Sequence, residues 1–264
     1  MLETLSGILG LLRLSTPDVD SQVKLRIMPL GDSITAFTCW RTLLWDTLRD
    51  AHATGGIEFV GSTDSNTEAC VSTGVWDHHH EGHGGFTAVD IAANNLVGWL
   101  AAAKPDVVMF MLGTNDITHR HNMSVIIDAY TEMVGQMRDS NEGMRIIVDL
   151  LIPLSGNNAG VVALNELILP WAKALNSTDS PIYIADMNTG FADSDERDGI
   201  HPNAEGDRKI SGRLYPILLQ IIKQNGEASN ALEYLAGYIN GVLDEDGDGD
   251  FDGGEDEDED EYDD

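Results

Sequence analysis

The residues best suited to catalysis follow predicted strands. Ser33 comes directly after the first strand, beside a glycine and ahead of a helix. Its hydroxyl would be held at the sheet edge, and its backbone N–H would lie near a helix N-terminus, where it could stabilise an oxyanion. The alternative is a plain strand-to-helix turn in which Ser33 caps the helix.

Two further segments could complete an acyl-transfer site. Asn115, in the Gly-Thr-Asn-Asp segment after the third strand, could offer its side-chain N–H to the same oxyanion, although Asn is also a common turn former. Asp198 precedes His201 by three residues after the fifth strand. A tight loop would place the carboxylate on one imidazole nitrogen and leave the other facing Ser33, as acyl transfer requires. The alternative is a polar loop before a helix that opens at Pro202.

A histidine- and glycine-rich loop precedes the second long helix. Gly84 and Gly85 are paired, and such glycines allow a backbone N–H to face a substrate without a side chain in the way. The nearby histidines suggest a metal site as an alternative: His78, His79, His80 and His83. Zinc ligands usually come from separated chain elements and often include cysteine, which makes the metal site the weaker interpretation.

Short apolar runs alternate with helical patterns along the chain. Strands are predicted at 24–30, 57–61, 106–112, 144–153 and 181–186, and helices at 40–51, 88–102, 125–138, 161–175 and 204–223. This alternation predicts an α/β fold, a three-layer α/β/α sandwich around a five-stranded parallel sheet. Ligands of such sheets bind beyond the carboxyl ends of the strands, where the polar segments above occur.

The amino-acid composition and net charge exclude some classes of binding partner. The 264 residues are 42% apolar and suit one globular α/β domain with a tail. The net charge is −30, and the fifteen acidic side chains of residues 244–264 supply half of it. Like charge repels nucleic acid and anionic membranes, so neither is an expected partner, whereas a neutral polysaccharide is compatible. No apolar run is long enough to predict a membrane span.

The two cysteines, Cys39 and Cys70, fit no metal-binding spacing. A disulfide between them would close a loop of about thirty residues and stabilise the domain by roughly 3–4 kcal/mol. Two buried thiols are the alternative, and the sequence leaves both open.

In their order along the chain, at residues 31–33, 84–85, 113–116 and 198–201, the four segments resemble the sequence blocks of the SGNH (GDSL-like) hydrolases, and the resemblance covers residues 25–219. The resemblance implies a flavodoxin-like SGNH fold and a serine esterase that needs no cofactor. It also implies the site residues: Ser33 as nucleophile and first oxyanion donor, Gly85 (with Gly84 beside it as the alternative) and Asn115 as further donors, and Asp198 and His201 completing the triad.

Residues 27–35, 39–44, 59–62 and 80–85 are similar to the third carbohydrate esterase family, whose members deacetylate xylan. This similarity implies a secreted enzyme that removes acetyl groups from a polysaccharide. Trp40, Trp76 or Phe86 could line a sugar-facing rim, although burial in the core is the more frequent fate of such residues.

The chain divides into an N-terminal segment (1–22, a possible signal remnant), a hydrolase domain (23–226) and a C-terminal helix with an acidic tail (227–264). In the tail, Asp244, Asp246, Asp248 and Glu255 fit the template of a calcium loop, and a disordered solvated tail is the alternative.

Two other functions are compatible with the sequence. The first is an SGNH esterase or lipase acting on another ester, such as a lipid, an aryl ester or acetylated pectin. The second is a non-catalytic module that binds carbohydrate or calcium. A binding module has no need of a Ser–His pair, which favours an enzyme.

Overall fold

The computed structural model describes residues 24–65 and 70–245, with side chains through residue 228. The strands are β1 (Leu25–Gly31), β2 (Ile57–Phe59), β3 (Glu81–Gly82), β4 (Val107–Met111), β5 (Arg145–Leu150) and β6 (Ile182–Asp186). The helices are α1 (Ser33–Phe37), α2 (Trp40–Asp50), α3 (Ala88–Asn94), α4 (Leu96–Ala103), α5 (Thr114–Thr118), α6 (Met123–Ser140), α7 (Asn158–Leu175) and α8 (Ala204–Glu245).

The strands form one parallel sheet in the order β2-β1-β4-β5-β6. Every residue of β4 is buried, as expected for a central parallel strand that is covered on both faces. The predicted α/β class with a parallel sheet flanked by helices is therefore confirmed. The short strand β3, which pairs in parallel with the end of β1, was not predicted, because two residues are too few to show a periodic pattern.

The short helices α1 and α5 are absent from the predicted ranges, and two of the longer helices differ from them. The helix expected at 88–102 is divided into α3 and α4, because Asn95 leaves the helical backbone region with φ −125°. The helices expected at 204–223 and in the C-terminal segment 227–264 form one continuous helix, α8, which ends at Glu245. Chain contacts define one unit up to Leu219 and a second from Gln220, which contains the remainder of α8.

Some predictions concern residues that the structure does not describe. The N-terminal segment 1–22 and the tail residues Asp246, Asp248 and Glu255 lie outside the described residues, and of Asp244 only the backbone, in α8, is described. The calcium loop therefore stays a prediction. Among the described helices, none is long and apolar enough to cross a membrane.

Cys39 and Cys70 form a disulfide, so the alternative of two buried thiols is wrong. Cys39 is the N-cap residue of α2, the helix that follows α1. The bond links residues 31 positions apart and thereby ties the start of α2 to the loop after β2. By restricting the unfolded chain, it is expected to stabilise the fold by roughly 3–4 kcal/mol.

Arg41, in α2, is completely buried and anchors the short helix α1. Its guanidinium donates hydrogen bonds to the carbonyl oxygens of Thr35 (2.9 Å) and Ala36 (3.5 Å), which belong to the last turn of α1. It also donates to the carbonyls of Ser65 (3.2 Å) and His78 (3.0 Å) in the loop after β2. Carbonyl groups at a helix end otherwise have no partner, so Arg41 satisfies them and fixes the loop against α1.

Replacing Arg41 with Met is expected to lower the free energy of unfolding by about 3–5 kcal/mol, because the buried carbonyl groups of Thr35 and Ala36 would lose this donor and the loop after β2 would lose its anchor. Urea unfolding curves of the variant and the unchanged protein measure this difference. Arg208→Met, which removes an exposed arginine, is the control and should change the value by less than about 1 kcal/mol. A loss of under 1 kcal/mol for Arg41→Met would contradict the anchoring role.

Candidate active site

Ser33 stands at the carboxyl end of β1 as the first residue of α1. Asp32 caps this helix, since its Oδ1 accepts a hydrogen bond from the N–H of Ile34 (2.9 Å). At Gly31, a Cβ atom would lie 2.2 Å from the Thr35 hydroxyl, so only glycine lets the helix turn back so closely over the strand end. The half-buried Ser33 hydroxyl is therefore held at the sheet edge by strand, cap and helix together.

His201 reaches Ser33 across 168 residues of chain, with 2.8 Å between its Nε2 and the serine Oγ. Its Nδ1 lies 2.8 Å from Asp198 Oδ2. A carboxylate can only accept, so this contact places the ring proton on Nδ1 and leaves Nε2 free to accept the serine proton. The structure thus brings the serine, histidine and aspartate into one hydrogen-bonded line.

Hydrogen bonds within the loop of Asp198 stabilise the charged form of this carboxylate. Asp198 Oδ1 accepts hydrogen bonds from the backbone N–H groups of Ile200 (3.1 Å) and His201 (2.8 Å). Gly199 makes the turn possible with φ +85°. Although desolvation opposes the change, the bonds from the backbone and ring of His201 lower the pKa of Asp198 to about 2. The carboxylate is therefore ionised at neutral pH and keeps the imidazole oriented.

Two backbone donors near Ser33 are open. Among the described residues, neither the N–H of Ser33 nor that of Gly85 donates to a protein acceptor. Asn115 differs: its Nδ2 donates to Asp32 Oδ2 (3.1 Å) and to the carbonyl oxygen of Phe86 (3.0 Å). Asn115 is thus fixed in the resting site and must share one of these hydrogens to reach an oxyanion.

The missing side chains of Gly84 and Gly85 have different consequences. At Gly84, a Cβ atom would approach the ring of Phe37 to 2.6 Å, so the missing side chain leaves room for that ring. Gly85 has φ +82°, a left-handed conformation that other residues adopt only with strain. No atom lies within 4 Å of the position that a Gly85 Cβ would occupy, so the space on that side of Gly85 is empty.

The histidines of the preceding loop are held separately. His80 Nδ1 accepts the N–H of Gly82 (2.9 Å), and burial lowers the pKa of His80 to about 3. His83 Nε2 lies 2.6 Å from buried Glu81, and His79 is paired with Asp77. Over residues 24–65 and 70–228, no group of three or more metal-ligating side chains comes together.

Two buried carboxylates that sequence reasoning did not single out hold this site together. Asp32 has one oxygen on the N-terminus of α1 and the other on Asn115. Asp116 accepts the N–H groups of Ala88 (2.8 Å) and Val89 (3.3 Å), and thereby joins the loop of Asn115 to the first turn of α3. Asp32 precedes Ser33 and Asp116 follows Asn115 in the chain. This adjacency is the only feature of the sequence that points to a role for them in the site.

The suggested aromatic rim is largely wrong. Trp40 and Trp76 are both buried. The indole N–H of Trp40 donates a hydrogen bond to the carbonyl oxygen of Ile34, and the ring of Trp76 packs against Arg41. Phe86 is partly buried near the ring of His83. Phe37, four residues after Ser33 at the end of α1, is instead half exposed.

Burial raises the pKa of Asp32 from its ordinary 3.8 to about 6, which gives the protein a testable pH dependence. The folded chain binds this proton more readily than the unfolded chain, so the stability contributed by Asp32 falls as pH rises from about 4 through 6. Over the whole titration, this difference in pKa corresponds to a change of roughly 3 kcal/mol in the free energy of unfolding.

Asp32→Asn removes this titration. The free energy of unfolding of the variant, minus that of the unchanged protein, is therefore expected to rise by roughly 2.5 kcal/mol between pH 4 and pH 7. Urea unfolding at several pH values measures this difference, and Asp128→Asn on the exposed face of α6 controls for the loss of one charge. A difference that stays constant over this range would contradict the burial argument.

Comparison with known proteins assigns this chain to a family. The model of the GDSL-like Lipase/Acylhydrolase family matches residues 30–209. A carbohydrate esterase family 3 protein from Talaromyces cellulolyticus is 44% identical, with a TM-score of 0.74 over 76% of this chain and 99% of that one. An acetyl esterase crystallised with acetate ion is 43% identical, with the same TM-score and coverage.

Two more distant relatives fit the same pattern. A family 3 carbohydrate esterase from Clostridium thermocellum is 25% identical, with a TM-score of 0.66 over 76% of this chain and 98% of that one. A multidomain esterase from Ruminococcus flavefaciens is 25% identical over 70% of this chain, and the match spans 27% of the relative's length. The chain therefore belongs to the GDSL-like lipase/acylhydrolase family, which is the SGNH family of carboxylic ester hydrolases.

Proposed function

We propose that this chain is a serine esterase that removes acetyl groups from a polysaccharide such as xylan through an acyl-enzyme intermediate. The observation that carries the proposal is the line from Ser33 Oγ through His201 to Asp198, with 2.8 Å at each of its two contacts. This arrangement supplies a nucleophile, a base in the required tautomer and a charged group that stabilises the imidazolium.

In the first half of the reaction, Ser33 Oγ attacks the acetyl carbonyl carbon while His201 Nε2 takes the hydroxyl proton. The open N–H groups of Ser33 and Gly85, together with Asn115, stabilise the negative oxygen. When the tetrahedral intermediate collapses, the bond to the sugar oxygen breaks and His201 protonates that oxygen. The deacetylated sugar leaves, and the acetyl group remains on Ser33.

In the second half, water gives a proton to His201 and attacks the acetyl carbon through a second oxyanion. The bond to Ser33 Oγ then breaks, His201 returns the proton to the serine, and acetate leaves. These steps use side chains and backbone groups of this chain, without a role for a cofactor.

The choice of an acetylated polysaccharide is supported by the relatives, which include an acetyl esterase and carbohydrate esterases of family 3. We also propose that the enzyme works outside the cell. The disulfide between Cys39 and Cys70 supports this, since such bonds persist in oxidising compartments.

The test compares acetate release from acetylated xylan, acetylated pectin and 4-nitrophenyl esters of increasing acyl length. We expect release from xylan and a sharp fall in kcat/KM from acetate to octanoate esters. A preference for octanoate would indicate a lipase, and a preference for pectin would indicate another glycan. Absence of hydrolysis of every ester would contradict the enzymatic function and favour a binding module.

A further inference from the structure

Phe37 is an exposed aromatic residue whose position relates it to the nucleophile. It is the last residue of α1, four positions after Ser33, so the two side chains lie on the same face of one helical turn. A long side chain on a helix leans back toward the N-terminus, which here is the direction of Ser33. Phe37 is nevertheless 50% exposed, whereas its helix neighbours Ile34, Thr35 and Ala36 are buried.

The ring of Phe37 rests on the glycine loop. Its Cε2 lies 2.6 Å from the place where a Gly84 Cβ would be, so the ring occupies the space that this glycine leaves free. The next residue, Gly85, carries the open N–H described above. The loop that borders the site therefore supports the ring, and half of the residue's surface remains exposed to solvent.

Distance along α1 indicates which part of a substrate would reach this ring. One turn of an α-helix advances about 5.4 Å. With the acetyl carbon bonded to Ser33 Oγ and its oxygen on the oxyanion donors, the methyl group extends only one carbon–carbon bond from the reacting carbon and offers a ring little surface for stacking. The alcohol part of the ester is the longer part, and in the proposed function it is a sugar.

The chemistry of the two surfaces is complementary. The face of an aromatic ring carries partial negative charge, and it attracts weakly positive C–H groups. A sugar ring presents such C–H groups on its faces while its hydroxyl groups point outward to water. A half-exposed ring suits a polymer that stays largely in solvent, whereas an acyl chain would require an enclosed apolar pocket.

We propose that Phe37 forms a sugar-binding subsite, on which a sugar ring of the acetylated polysaccharide stacks while its acetyl group is bound at Ser33. This inference rests on the proposed polysaccharide acetyl esterase function and assigns the alcohol side of that substrate. The role of Phe37 is specificity, since the ring supplies no group for proton transfer.

The test uses Phe37→Ala, Phe37→Tyr and, as a matched control, Val75→Ala. Val75 is an apolar residue that is 95% exposed in the loop after Cys70. For each protein, kcat and KM are measured with acetylated xylo-oligosaccharides and with ethyl acetate, whose alcohol part is too small to stack. The quantity of interest is the ratio of the two kcat/KM values.

We expect Phe37→Ala to lower this ratio about tenfold, mainly through a higher KM for the oligosaccharide. Phe37→Tyr should retain the ratio within about threefold, because the ring face is kept. Val75→Ala should match the unchanged protein. A merely structural role would lower both activities together and leave the ratio constant.

A constant ratio in Phe37→Ala overturns the subsite while leaving the proposed function intact, provided that the unchanged protein deacetylates the oligosaccharides. If the unchanged protein hydrolyses ethyl acetate but not the oligosaccharides, the polysaccharide function itself is wrong, and the subsite is wrong with it. A fall in the ratio for Phe37→Tyr as large as that for Phe37→Ala would also contradict stacking.

Discussion

Replacing Ser33 with alanine is expected to lower the rate of acetate release about 10⁴- to 10⁶-fold while the protein remains folded. The reason is that Ser33 Oγ is the one hydroxyl hydrogen-bonded to His201 Nε2 in the described site, at 2.8 Å. The measurement is kcat with 4-nitrophenyl acetate, together with mass spectrometry after treatment with an organophosphate. The unchanged protein should gain one adduct, and Ser33→Ala should gain none.

The matched control is Ser194→Ala, which removes an exposed serine shortly before Asp198 and should keep full activity. A second comparison tests whether serine and histidine act as one unit. Because each depends on the other, the double variant of Ser33 and His201 should be about as slow as either single variant. Wild-type turnover in Ser33→Ala, or multiplicative losses in the double variant, would contradict the proposed triad.

Asn115→Ala is expected to lower kcat about 10²- to 10³-fold with little change in KM, because an oxyanion donor acts mainly in the transition state. In the resting structure both hydrogens of the amide have protein acceptors, Asp32 and Phe86. The donor is thus already oriented at the site and needs little reorganisation to share a hydrogen with the substrate. Steady-state kinetics with a soluble acetate ester measure the effect.

The control is Asn122→Ala. Asn122 is an exposed residue at the start of α6 whose side chain makes no capping hydrogen bond, so its loss should not alter turnover. Asn115→Asp adds a sharper comparison, since it keeps the shape but removes both donor hydrogens, and it should be at least as slow as Asn115→Ala. Full activity in either Asn115 variant would show that the site stabilises the oxyanion through backbone groups alone.

Local patterns in the chain were enough to predict the layered fold. The continuous apolar run that became β4 is a direct consequence of burial on both faces of a parallel strand, so its sequence reveals its place. The candidate chemical residues were also recognisable, because each follows a strand and the carboxyl ends of parallel strands meet at one edge. The order of the motifs in the chain then indicated the family, which the family match confirms.

Features without a local pattern could not be predicted in this way. The two residues of β3 pair with β1 only after the chain has folded, and the Cys39–Cys70 disulfide was one of two equal alternatives. Arg41 is a charged residue, which sequence alone would place on the surface, yet it is buried because four carbonyl groups from two segments surround it.

The class of fold and the kinds of side chain available for acyl transfer follow from the amino-acid sequence, since strand burial and residue chemistry are properties of short segments. The exposure of each aromatic ring and the hydrogen bonds that join Asn115 to Asp32 and Phe86 are visible only in the folded chain. These depend on contacts between residues that are distant in the chain, and such contacts arise from packing, which no single segment encodes.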